Sequence, residues 1–262
     1  LLSEFHEPAS VIIKHAIPCG VSEANNLLNA WKKSFLADRL SAFGGVVALN
    51  RIVDDKLANE LSKIFLEVIV AKGFTKEALK ILQIKSNLRI IKIKSISKFK
   101  KNKPKQIIAM SDIFLIQDSD NHILNKKDLK VVSKKKPSIR ELDDLIFAHK
   151  VVKHVRSNAI VIAKNKTTLG IGSGNTSRID SVNFALQKSK RFLKENKNRK
   201  INGAVMSSDA FFPFTDSILL ASKAGIKSII QPGGSVKDKV IIEEVDRKQI
   251  SMVFTNKRCF SH

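Results

Sequence analysis

Lys14 and His15 stand side by side after an apolar run, Ala9-Ser10-Val11-Ile12-Ile13, and shortly before Pro18-Cys19-Gly20. An imidazole titrating near neutrality can take a proton from an attacking nucleophile. An ammonium beside it can stabilise developing negative charge or protonate a leaving nitrogen. Neighbours on a strand point to opposite faces, so both serve one site only where the strand breaks. The Pro-Cys-Gly segment predicts that break. On spacing alone, a surface lysine beside a packed histidine is the commoner arrangement.

Other segments carry chemistry-bearing types. Gly170-Ile171-Gly172-Ser173-Gly174-Asn175-Thr176-Ser177-Arg178 falls between a predicted strand and a predicted helix. Glycines there would let backbone N–H groups approach an anion, and Arg178 offers a bidentate guanidinium. The spacing matches neither the dinucleotide nor the P-loop pattern, and a plain tight turn competes with the anion reading. Further on, Phe211 could stack on a heterocycle and Asp216 could accept from ring nitrogens, although phenylalanine is more often core. Pro232-Gly233-Gly234-Ser235 opens another helix, and Arg258-Cys259-Phe260-Ser261-His262 follows the last apolar run. Each of these falls at the predicted carboxyl end of a strand, where open α/β sheets gather ligands. Together they predict one composite pocket for an anionic heterocycle.

The elements that must position these residues alternate, so the fold class is α/β with mostly parallel strands. Strands are predicted over 9–13, 43–49, 68–71, 159–163, 203–206, 229–230 and 251–254. Helices are predicted over 23–35, 54–65, 75–82, 141–155, 181–193 and 216–224, with another running through 245. The lysine-rich stretch 92–105 predicts a solvated loop or ragged edge strand. Lys134-Lys135-Lys136-Pro137 reads as a linker between two lobes. Ser138 followed by Glu141 is a capping-box signature.

Composition narrows the function classes. The 262 residues are 43% hydrophobic, enough for a core, and no apolar run reaches membrane-spanning length. The first residues do not resemble a secretory signal, and the missing Met predicts a piece of a longer chain. Two distant cysteines fit a reducing cytoplasm, and neither they nor the six histidines show metal-ligand spacing. The formal charge of +23 attracts anions. Its lysines are scattered without an aromatic–basic platform, so neither a nucleic-acid nor a membrane partner is expected. The competing function classes are a catalytically idle basic fragment that binds nucleic acid or serves as an interaction partner, and a cytidine deaminase-like hydrolase, which the absent zinc-ligand spacing disfavours.

Seven separated segments, in order along the whole chain, resemble one family. Lys14-His15-Ala16-Ile17-Pro18-Cys19-Gly20 is similar to the K-H-A-N-P-C-G signature of AICAR transformylase. Asp38-Arg39-Leu40-Ser41-Ala42-Phe43-Gly44-Gly45 is similar to its D-x-x-S-A-F-G-G segment. Ser157-Asn158-Ala159-Ile160, the 170–178 run, the 208–214 run, Pro232 to Ser235 and the Arg258–His262 tail follow. Ile17 replaces the usual Asn and Asn175 the usual Gln, and Ser111-Asp112 stands where the family commonly has two glycines. The resemblance implies two cytidine deaminase-like α/β/α lobes without zinc, over 1–136 and 137–262. The family's IMP cyclohydrolase domain is expected to be absent from these residues.

The resemblance also implies formyl transfer from 10-formyltetrahydrofolate to the 5-amino group of AICAR ribonucleotide, in de novo purine (IMP) biosynthesis. Lys14 would stabilise the transition state, His15 would accept the proton, and Asn158 would position the amine. Gly44, Glu67, Arg178, Phe211 and Arg258 would line the AICAR site with His15 and Asn158. Ile179, Asp216, Ser235 and Val236 would hold the folate, and Phe260 and His262 would close the pocket. A homodimer with sites at its interface and a monovalent cation are further implications.

Overall fold

The buried strands send neighbouring residues to opposite sides, as a period of two requires. Ile160, Ile162, Met206, Ile229 and Met252 enter one apolar cluster, while Val161, Val205, Ile230 and Val253 enter another. Chains buried on both faces need helices on both sides, and the computed structural model has that layering. It describes residues 1–94, 105–118, 124, 126–195 and 201–259.

The first half begins with strands β1 (Ala9–Lys14) and β2 (Ile17–Glu23), then helices α1 (Leu27–Ala37) and α2 (Arg39–Ala42). Strand β3 (Gly45–Val53), helix α3 (Asp55–Ser62), strand β4 (Leu66–Phe74), helix α4 (Lys76–Gln83) and strand β5 (Arg89–Lys92) complete it. The sheet order is β2-β1-β3-β4-β5. Its first two pairings are antiparallel and its last two parallel. Trp31, Leu57, Leu61 and Leu82 from α1, α3 and α4 pack on Ile12, Val47, Leu49 and Ile69.

The second half repeats that order. After strand β8 (Lys130–Val131) and helix α5 (Ile139–Val152) come strands β9 (Ile160–Ala163) and β10 (Thr168–Gly172). Helix α6 (Arg178–Glu195), strand β11 (Val205–Ser208), helix α7 (Asp216–Ala224), strand β12 (Ser228–Gln231), helix α8 (Asp238–Arg247) and strand β13 (Ser251–Phe254) follow. The sheet order is β10-β9-β11-β12-β13-β8. The signs again run antiparallel, antiparallel, parallel, parallel, with β8 added antiparallel at the far edge. The chain is therefore α/β with mixed sheets, not the mostly parallel ones the alternation predicted. The sheets meet at their hairpin strands: Val21 N donates to Thr168 Oγ1 at 3.0 Å, and Ser22 bridges Thr167.

Local signals place several element starts. Asn26, Asp54 and Thr75 cap α1, α3 and α4 by accepting backbone N–H bonds. The Ser138–Glu141 capping box is present at α5. Six of the described strands were not anticipated, four of which bear on expectations drawn from the sequence. Pro18-Cys19-Gly20 does not end the first strand but lies inside β2, an edge strand where proline is tolerated. Gly170-Ile171-Gly172 is part of β10. Strands β6 (Lys105–Met110) and β7 (Ile113–Asp118) form a separate two-stranded sheet. Its turn puts Ser111 at φ 49°, a conformation glycine adopts more cheaply. Most of the lysine-rich stretch 92–105 lies outside the described residues.

Candidate functional site

The hairpin β1–β2 turns on two residues, His15 and Ala16, both left-handed at φ 50° and 62°. Two successive left-handed residues give the tight turn whose twist matches the flanking strands. This is the break in the strand that lets Lys14 and His15 face one cleft. That cleft measures about 360 Å³, and Cys19, Ser41, Ile171 and Phe184 also line it. Lys14 Nζ donates to Phe43 O. The adjoining Gly44 has φ 66°, and its N–H donates to Phe65 O at 2.8 Å. His15 is exposed.

Two features fix the walls. Asp38 caps α2 through Ser41 N and accepts from Lys188 Nζ of α6 at 2.9 Å, tying the two halves together. Burial would raise the Asp38 pKa, but Lys188 and Ser41 outweigh it and hold the carboxyl below its ordinary value. Burial, with Asp38 adding to it, pushes the Cys19 thiol up to about 12. Cys19 is therefore a wall residue and not a nucleophile near neutral pH.

A second cleft of about 460 Å³ lies at the end of the other sheet and is lined by Asn158, Arg178, Ile179, Phe211, Asp216 and Arg258. Six residues singled out from the sequence thus converge there. Arg258 stacks its guanidinium 4.5 Å from the Phe211 ring centroid. Asp216 sits in the first turn of α7, its Oδ1 accepting from Ser217 N at 2.6 Å. Asn158 Nδ2 donates to Asn175 O and Thr176 O at 3.0 and 3.1 Å, and its Oδ1 accepts from Arg178 at 2.9 Å. Both amide protons are used, so Asn158 keeps one acceptor lone pair for a ligand N–H.

Three expectations change. The two clefts share no lining residue, so the expected single composite pocket is instead two separate clefts on one chain. Lys14 and Gly44 lie at the amino ends of β3 and β4, and Asn158 precedes β9. Strand ends of both polarities therefore contribute, because the hairpin strands run antiparallel to their neighbours. The glycine run does not cradle an anion along its length. A Cβ on Gly170 would fall 2.0 Å from Ala185 O and one on Gly172 2.0 Å from Ser181 O, so these glycines admit α6 against β10. Gly20 does the same for α1, where a Cβ would meet Ser34 O at 2.1 Å.

Arg178 is buried with its N–H groups turned to Asp209, Ser208 and Asn158. Glu67 lines neither cleft and pairs with Arg89 at 2.7 Å. Ser235 and Val236 lie in the loop before α8, Val236 fully exposed, where Lys237 stands 4.3 Å over the Phe214 ring. Phe260 and His262 lie outside the described residues. The sequence reading gave no role to Asp209, Ser157 or Lys188, although the first two lie in segments it singled out. Asp209 was visible beside Ser208 but carried no spacing signal.

A further cleft, about 660 Å³, contains none of these residues. Several of its polar groups are already engaged: Asp144 accepts from the backbone of Asn165 and Lys166, and Lys166 Nζ meets Glu23 at 3.5 Å. Among the described residues no group of three or more His, Cys, Asp or Glu is placed to hold a metal ion. No helix among them is long and apolar enough to cross a membrane.

Two mixed sheets of matching strand order, with side-chain clefts at the hairpin turn of one and the strand ends of the other, define an α/β protein with a divided polar site. Its sequence places it more narrowly. The family described as AICARFT/IMPCHase bienzyme matches residues 1–188, and the chain belongs to that family. It is 48% identical over 262 residues to the bifunctional purine biosynthesis protein PurH of Caldicellulosiruptor saccharolyticus, covering 100% of this chain and 49% of that protein. Identity to the protein of the same name is 50% in Caldicellulosiruptor bescii, with the same coverage. It is 49% in Fusobacterium nucleatum, covering 100% of this chain and 50% of that protein. The chain spans about half the length of these relatives.

Proposed function

We propose that this chain is the AICAR transformylase portion of a purine-biosynthesis enzyme. It moves a formyl group from 10-formyltetrahydrofolate, as co-substrate, to the 5-amino group of AICAR ribonucleotide. The observation that carries the reading is the Lys14–His15 pair where β1 enters a left-handed turn, both residues on one cleft. The amine is a poor nucleophile because its lone pair is delocalised into the imidazole and carboxamide. His15 takes its proton as it attacks the formyl carbon, and Lys14 stabilises the charge that develops on the formyl oxygen. The tetrahedral adduct then collapses, the bond from the formyl carbon to N10 breaks, and tetrahydrofolate leaves with N10 protonated. Asn158 uses its remaining lone pair to hold the amine.

Phe211 offers a stacking face to the heterocycle and Arg258 a cation to the phosphate. Ile179, Asp216, Ser235 and Val236 take the folate. A homodimer in which each site draws one cleft from each protomer would unite what a single chain keeps apart. Two repeated sheets support cytidine deaminase-like lobes at about residues 1–136 and 137–262. The protein acts without zinc, in the cytoplasm, and needs no nucleic-acid or membrane partner. The chemistry described runs through side chains alone, so no step depends on the monovalent cation.

The test follows formyl transfer to AICAR ribonucleotide by absorbance for the intact chain and for His15→Ala. Turnover in the first and its loss in the second are expected. A folded, dimeric chain with no turnover at saturating AICAR ribonucleotide overturns the reading.

A further inference from the structure

We propose that Asp209 is a positioning residue: its buried carboxylate and main chain set Asn158, Arg178 and Arg258 in the second cleft, a role that rests on the formyl-transfer reading of that cleft. Asp209 follows β11, and nothing of it is exposed. Oδ1 accepts from Arg178 Nη1 at 2.5 Å, and Oδ2 accepts from Ser157 Oγ at 2.7 Å. Its N–H donates to Ala159 O at 3.3 Å and its carbonyl accepts from Cys259 N at 3.0 Å. One residue therefore grips both neighbours of Asn158 and the residue after Arg258.

The effect passes through the planar guanidinium. With Nη1 committed to Asp209 and Ser208 Oγ, Nη2 is aimed at Asn158 Oδ1, 2.9 Å away. That bond forbids the flipped amide, which would set N–H against N–H and abandon the two carbonyls Asn158 Nδ2 now serves. The lone pair left on Asn158 thus has a single orientation.

Asp209→Asn keeps the size and removes the charge. It leaves Arg178 a weaker neutral acceptor and forces Ser157 to reverse its hydrogen bond. The expected result is a fall in kcat of about 10²-fold, with KM for 10-formyltetrahydrofolate within about threefold because the folate wall is untouched. In an Asn158→Ala background the same change should cost less than about threefold more, since the residue it acts through is gone. Fully additive losses, or both KM values rising together, would show a merely structural role and overturn the proposal.

A second readout needs no turnover: hydrogen exchange of the Asn158 side-chain amide, its signal assigned by loss in Asn158→Ala. Both protons are bonded, so exchange is slow, and Asp209→Asn should speed it by about tenfold or more. If the intact chain transfers no formyl group, the formyl-transfer reading fails. Unchanged exchange in Asp209→Asn separately overturns the positioning role. Should Asp209→Asn fail to fold, Ser157→Ala releases only Oδ2 and should move exchange in the same direction by less; no movement overturns the proposal.

Discussion

The two clefts are built differently. In the first cleft Lys14 ends β1 half-buried and His15 sits on an exposed two-residue turn, and the one bond described for Lys14 is to the carbonyl of Phe43. Around Asn158 the polar side chains interlock behind the surface, Arg178 and Asp209 both buried and nearly every donor assigned. A group that moves a proton must stay accessible and free to change charge, whereas groups that orient a ligand gain from being unable to move. The same contrast appears in the sheets. Strands β9, β11, β12 and β13 are buried at every position, while β3 and β4 alternate with half-buried residues.

The comparison can be broken at either end. His15→Ala should lower formyl transfer by about 10² to 10⁴-fold yet leave the thermal midpoint nearly unchanged, because the ring is exposed. A matching loss of stability would mean that His15 is part of the scaffold. Arg178→Met should do the reverse first, destabilising by about 3–5 kcal/mol in denaturant unfolding because Asp209 is left buried and unpaired. A stability loss under about 1 kcal/mol would mean the second cleft is not locked as described.

Gly170→Ala should cost about 1–3 kcal/mol or more, because the new methyl meets the backbone oxygen of Ala185 and α6 must shift. Gly174→Ala meets open space and has only its φ of 70° against it, so about 1–2 kcal/mol is expected. If the two changes rank the other way in thermal unfolding, the glycine run serves its turn and not the helix packing.

The smallest effect concerns the tie between the halves. Asp38 has a depressed folded-state pKa, so its contribution is present above its unfolded value near 3.8 and is lost as pH falls through the folded value. Lys188→Met should therefore be less stable than the parent at pH 7 by a modest margin, since Lys188 is partly exposed. That margin should close as the carboxyl protonates. A difference that persists in strong acid would trace to packing instead of charge.

Much of this was legible in the sequence because the signals were local. A polar cap three residues ahead of its partner, as in Ser138–Glu141, acts within one turn of chain. Apolar runs such as Ile160–Ala163 cannot be left in water whatever surrounds them. The order of the motifs was enough to assign the family and to single out Lys14, His15, Asn158, Arg178 and Arg258. Only the tertiary structure decided what those residues face. Pro18 became a strand residue because its strand is an edge, and Gly170 a packing residue because α6 crosses β10 there. Arg178 ceased to be a free anion ligand because Asp209, 31 residues away, arrives beside it when β11 pairs with β9. Periodicity and caps depend on a few neighbouring bonds, but burial, ion pairing and cleft membership depend on which strand lies next to which, and no local interaction specifies that.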